Sequence, residues 1–191
     1  MKEKTLFQTL EDRENPDVVE AEGPFSCHWK NTWLGEGYYF WDSFIENAHW
    51  WGEVRYHNKY IITKFKCDFD TEKCFDLVGD TDHMLDFSES IEFLKNKNQV
   101  TSETTVSRII NHLRNKVGFN YEAIRVYGIK SISEHKEKYE RYRHRLNFEL
   151  SKPQYLDYKP AIQICIFEKD GMNLRDIHIE YPDKYNSDFV I

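Results

Sequence analysis

The sequence predicts an α+β fold, a mostly antiparallel sheet with flanking short helices and one helical insertion. Three observations predict it. Residues 60–67 and 160–167 read as strands facing a core, residues 103–116 carry apolar side chains at helical spacing, and no unit recurs at a period of roughly 20–50 residues, which sets aside solenoids and propellers. A chain of 191 residues sits at the top of the single-domain range and can bury roughly 70% of its unfolded surface in one core. Residues 1–191 are therefore expected to form one domain.

Residues 4–10 carry β-formers and are closed off by the polar stretch 11–16, which predicts a first strand. Pro16, followed by the acid Asp17, opens a short helix that Gly23 and Pro24 end. Gly35 and Gly37 precede Tyr38, Tyr39, Phe40 and Trp41, a compact strand whose glycines permit positive φ or close backbone approach. Asp42 and Ser43 then read as a helix cap. Phe44, Ala48 and Trp51 share one face of the helix, and Gly52 is expected to stop it. In the next strand Ile61, Thr63, Phe65 and Cys67 alternate with Ile62, Lys64 and Lys66, and the first set is expected to face the core. Residues 74–78 extend that sheet or neighbour it.

The middle of the chain is helical and more polar. Residues 88–95 and 103–116 read as capped helices and make an insertion near 88–118; the second carries Val106, Ile109, Ile110, Leu113 and Val117 on one face, with Gly118 after it. Residues 121–127 are a further strand, and 133–144 a solvated loop or lid. Its cations Lys136, Lys138, Arg141, Arg143 and Arg145, interleaved with Tyr139 and Tyr142, form a patch for a nucleic acid or pyrophosphate, or a solvated face partnered by Glu134, Glu137 and Glu140. Residues 160–167, almost continuously apolar, are expected to be the central strand. Residues 177–180 form an edge strand, and Pro182 begins a tail.

Lys and Arg number 26 against 33 Asp and Glu, a net charge of −7, with a pI near 5.6. The chain as a whole has no attraction for phosphate backbones or anionic membranes. Its start is too short and too charged for a signal peptide, and no long apolar window is present, so a soluble, cytoplasmic protein without a membrane partner is expected. Cys27, Cys67, Cys74 and Cys165 lack Cys-x-x-Cys spacing and read as core residues. The histidines are scattered without ligand spacing, so no metal is expected. The signatures Gly-x-Ser-x-Gly, His-Glu-x-x-His, the phosphate-binding loop and a post-strand Gly-x-Gly-x-x-Gly are all missing.

All five tryptophans, at 29, 33, 41, 50 and 51, fall in one quarter of the chain, beside Tyr38, Tyr39, Phe40 and Phe44. Within it, Leu34-Gly35-Glu36-Gly37-Tyr38-Tyr39-Phe40-Trp41 is followed by Asn47-Ala48. Together with Gln8-Thr9-Leu10 on the first strand and Gly23, this order resembles the ADP-ribosyltransferase superfamily, in its diphtheria-toxin and poly(ADP-ribose) polymerase branch. The likeness covers residues 4–52 well, and 60–78 and 160–167 as strands. It implies an ADP-ribosyltransferase-like split sheet and a cleft for NAD. Cleaving the nicotinamide–ribose bond builds an oxocarbenium-like cation, which calls for an aromatic wall, polar groups on the amide and ribose, and a carboxylate.

By that resemblance Tyr39 corresponds to the tyrosine stacked on nicotinamide, with Tyr38 or Trp41 on the opposite face or in the core. Gln8, Thr9 and Gly37 complete the cofactor-binding set. There are two departures from the family pattern. Gln8 stands where the family has a histidine, and Ala161 where it has a glutamate. Gln163, on the same strand face as Ala161, and Glu168, at the strand's end, are the candidate catalytic replacements. The implied function is an ADP-ribosyltransferase-like protein that binds NAD and transfers ADP-ribose to a protein or nucleic-acid acceptor. The alternative is a catalytically inactive module that keeps the cleft for ADP-ribose, NAD or a protein partner.

Overall fold

The computed structural model describes residues 2–27, 32–116, 118–128 and 140–186. In chain order the elements are β1 (Lys2–Glu11), α1 (Pro16–Glu22), β2 (Tyr38–Asp42), α2 (Ile45–Tyr56), β3 (Tyr60–Phe69), β4 (Cys74–Asp76), α3 (Thr81–Asn96), α4 (Val106–Arg114), β5 (Ala123–Tyr127), β6 (Arg145–Asn147), β7 (Tyr155–Asp157), β8 (Ile162–Ile166) and β9 (Arg175–Tyr181). Seven strands make one sheet in the order β4-β5-β8-β2-β1-β3-β9, and β6 pairs with β7 alone. The mixed, mostly antiparallel architecture expected from the sequence is present. Most of the expected loop or lid, with its lysines, lies outside the described residues.

The one parallel pair among the described strands is β4–β5. A parallel pair needs a crossover connection, and the helical insertion supplies it. The insertion begins earlier than the expected residue 88, because Asp80 caps α3 by accepting from the Asp82 and His83 amides. Thr105 caps α4 by accepting from the Arg108 amide. Ile109, Ile110 and Leu113 of α4 pack with Leu34, Phe75, Leu94, Ile124 and Cys165 on one side of the sheet.

Helix α2 corrects a second boundary. It runs through Gly52 to Tyr56 and ends at His57 in the left-handed conformation. Gly52 is not a stop; a Cβ there would lie 2.3 Å from the Tyr60 ring, so the missing side chain lets β3 approach the helix. Neither Asp42 nor Ser43 caps α2. Phe44 occupies that position without a side-chain cap bond. Because α2 covers the second side of β3, Ile62 is as fully buried as Ile61, where alternation alone would have put it outside.

β1 pairs with β3 along its whole length but with β2 only at Leu6↔Asp42 and Phe7↔Trp41. From Gln8 onward β1 leaves β2, and the sheet splits there. At the closed end a buried charge cluster ties four strands together. Lys4 Nζ lies 2.8 Å from Asp42 Oδ2, Arg125 Nε donates to the same oxygen at 2.7 Å, and the Arg125 guanidinium reaches Asp76 at 3.0 Å. Burial by itself would raise the Asp42 pKa, but hydrogen bonds from Lys4 and Ser43 and the charges of Lys4 and Arg125 outweigh it and hold the carboxyl below its ordinary value.

The β6–β7 hairpin is absent from the sequence expectation. Leu146 lies opposite Leu156, and both are exposed, as is Phe148. At the far edge of the large sheet, β9 is the expected edge strand.

Candidate functional site

The split between β1 and β2 opens a cleft of about 360 Å³. Side chains alternate along strands, so the wedge draws on both sides of the sheet. Gln8, Leu10 and Phe40 reach it from one side, and Thr9, Tyr39, Trp41 and Gln163 from the other. Trp51 and Tyr56 of α2, Trp33, and residues 25–27 complete the wall.

Gln8 holds the mouth. Its Nε2 donates to the Phe25 carbonyl at 2.8 Å and to the Tyr39 carbonyl at 3.4 Å, while its Oε1 accepts from the Phe25 amide at 2.9 Å. The side chain thus bridges the split and pins the loop after α1. Gln8→Leu leaves the Phe25 amide and carbonyl without these partners and is expected to cost about 1–3 kcal/mol. Urea denaturation measures that loss, and hydrogen exchange at Phe25 should speed up more than exchange in β3. Equal protection at Phe25 in both proteins would contradict the bridging role.

Thr9 donates its hydroxyl to the Ala48 carbonyl at 3.0 Å, fixing α2 against β1. The Tyr39 hydroxyl accepts from the Leu34 amide at 3.0 Å and donates to the Gly35 carbonyl at 2.7 Å. Gly35 adopts φ +91°, a left-handed backbone that a glycine takes without strain. Burial pushes the Tyr39 hydroxyl well above its ordinary pKa, so it stays a neutral phenol anchored at its tip. The Trp41 and Trp51 rings are tilted, with centroids 6.4 Å apart. Gln163 lies opposite Trp41 in the β2–β8 pair, and cross-strand partners share a face.

Of the residues the sequence singles out, the cleft gathers Gln8, Thr9, Tyr39, Trp41 and Gln163. Three fall elsewhere. Tyr38 is on the opposite face of β2 and packs with Phe40, Leu6 and Phe65, as adjacent residues on a strand must diverge. Gly37 does not line the cleft; a Cβ there would lie 2.6 Å from the Ile166 carbonyl and 2.7 Å from Cys165 Sγ, so its place is set by the close approach of β2 to β8. Glu168 is exposed in the turn after β8 and is not among the cleft-lining residues. Ala161 is buried beside Trp41 and Tyr142, away from the lining.

A second cavity of about 550 Å³ adjoins the cleft, sharing Leu10, Phe25, Ser26 and Tyr56 with it and adding Glu11, Arg13, Asn15 and Arg55. The sequence reading missed Arg13, Arg55, Trp51 and Tyr56. The available signal was the spacing of Trp51 and Arg55, which puts both on one face of a helix.

Among the described residues, the cleft lining contains no carboxylate. Burial pushes the nearby Cys165 thiol up to about 12, which keeps that group a neutral thiol near pH 7. Among the described residues no group of three or more His, Cys, Asp or Glu side chains is placed to hold a metal ion, and no helix is long and apolar enough to cross a membrane. The site therefore offers aromatic faces, amide and hydroxyl groups and the Cys27 thiol, with two arginines and the Glu11 carboxylate at its outer end.

The chain matches no protein-family model, no curated protein and no solved structure.

Proposed function

We propose that the chain is an ADP-ribosyltransferase-like protein whose split-sheet cleft binds NAD or an ADP-ribose-like ligand without cleaving it. The observation that carries the reading is the convergence of Gln8, Thr9, Tyr39, Trp41 and Gln163 on one aromatic cavity with no acid in its described lining. A planar ring enters between the aromatic walls, where stacking contributes about 1–3 kcal/mol. The diphosphate lies in the adjoining cavity, within reach of Arg13 and Arg55, whose planar guanidinium groups suit phosphate oxygens. Arg13 already pairs with Glu11 in an exposed salt bridge, a contact worth little in water and readily exchanged.

Transfer needs a negative group beside the developing ribose cation. Neither Gln163, a neutral amide, nor Glu168, outside the lining, supplies one. Binding is accordingly favoured over transfer to a protein or nucleic-acid acceptor. Incubation with NAD labelled in both halves separates the readings. Retention of intact NAD with no nicotinamide release is expected. Trp51→Ala, a change on α2 rather than on the sheet strands, should weaken binding roughly tenfold. Nicotinamide release, or label on an acceptor, would replace the binding reading with transfer; no retention at all would remove both.

A further inference from the structure

Gln163 is central in β8, opposite Trp41 on one neighbouring strand and Val126 on the other, and is only 8% exposed. Its Oε1 is buried and accepts no hydrogen bond from the described residues. A native interior rarely leaves such an acceptor unmet, and each case calls for a cause. Three of the donors lining the cleft are committed elsewhere: the Tyr39 hydroxyl to the Gly35 carbonyl, the Thr9 hydroxyl to the Ala48 carbonyl, and the Gln8 amide to the Phe25 carbonyl. Gln163 also lines the cleft, and rotation of its terminal amide turns Oε1 toward a ligand there, which then supplies the donor it lacks.

We infer that Gln163 is a specificity residue that selects ligands whose planar ring system carries an N–H₂ donor next to an acceptor. A side-chain amide meets that edge with two hydrogen bonds, accepting with Oε1 and donating with Nε2. The inference rests on the cleft being the NAD site and adds which substituent is read. NAD carries this edge twice, as the nicotinamide carboxamide and as the amino edge of adenine. At the carboxamide, and at the N6/N7 edge of adenine, oxygen in place of the amine would set acceptor against acceptor, and a buried site built for a donor there rejects such an analogue strongly.

The test compares three dinucleotides by calorimetric titration: NAD, its nicotinic-acid analogue and its hypoxanthine analogue. Each analogue replaces one N–H₂ group by oxygen. For the unmodified protein, one of the two is expected to bind at least tenfold more weakly than NAD, and which one it is tells which ring enters the cleft. In Gln163→Leu and Gln163→Met that discrimination should shrink to within about twofold. Both variants should also unfold at a temperature no lower than the unmodified protein without ligand, because they remove an unmet acceptor. A purely structural Gln163 would instead lower the unfolding temperature. Equal binding of all three dinucleotides, or discrimination that survives in the variants, overturns the inference and leaves the NAD site standing. Failure of NAD itself to bind overturns the site and the inference with it.

Discussion

Arg125→Met is expected to lower stability by about 3–5 kcal/mol, the usual consequence of removing one partner from a buried ion pair. Arg125 is the cation shared by Asp42 and Asp76, and both acids are almost fully buried. Without it Asp42 retains Lys4 and Ser43, whereas Asp76 retains only the Val78 and Gly79 amides among its described side-chain partners. The loss is a large share of the roughly 5–15 kcal/mol typical of a folded domain. Urea denaturation at pH 7 measures it.

The acid limb gives an independent check. The folded pKa of Asp42 is held below its ordinary value, so its contribution is complete above the unfolded pKa of about 3.9 and fades as pH falls through the lower folded value. Loss of the Arg125 charge raises the folded pKa, and acid unfolding should begin at higher pH in the variant. A change under about 0.5 kcal/mol with an unmoved acid limb would show that the cluster does not clamp the strands.

Trp41→Ala is expected to cost about 3–5 kcal/mol and to abolish measurable NAD binding. Trp41 is buried at the point where β1 still pairs with β2. It packs edge-on against Trp50, with centroids 6.4 Å apart, and lines the cleft. The two effects separate through Trp41→Phe, which keeps an aromatic ring and should recover part of the binding along with part of the stability. Undiminished NAD affinity in folded Trp41→Ala would exclude this wall from the ligand site.

The elements set by local chemistry were legible in the sequence. α1 begins at Pro16 and stops short of Pro24 because proline acts through its own backbone, and β2 follows the glycines and aromatic residues that predict it. What was not legible depends on distant neighbours. Gly52 looks like a stop in isolation, yet it is a contact point for Tyr60. Asp42 looks like a cap, yet it is the centre of an ion cluster completed by Lys4 and Arg125. Ile62 alternates toward solvent until α2 covers it. The same holds for the site: aromatic clustering and glycine order located the β2 wall, but the second cavity with Arg13 and Arg55 exists only once α2 is laid against β1. The short β6–β7 hairpin, with Leu146 and Leu156 exposed, sits on no core face and lacks the periodic signal that marks longer strands.

Co-crystallisation with NAD is the most direct measurement of whether the split sheet is a ligand cleft. Density for one planar ring is expected between β1 and β2, bounded by Tyr39, Trp41 and Gln163, with the diphosphate toward Arg13 and Arg55. Density bound to another face, or a wedge closed by side chains at saturating NAD, would contradict it.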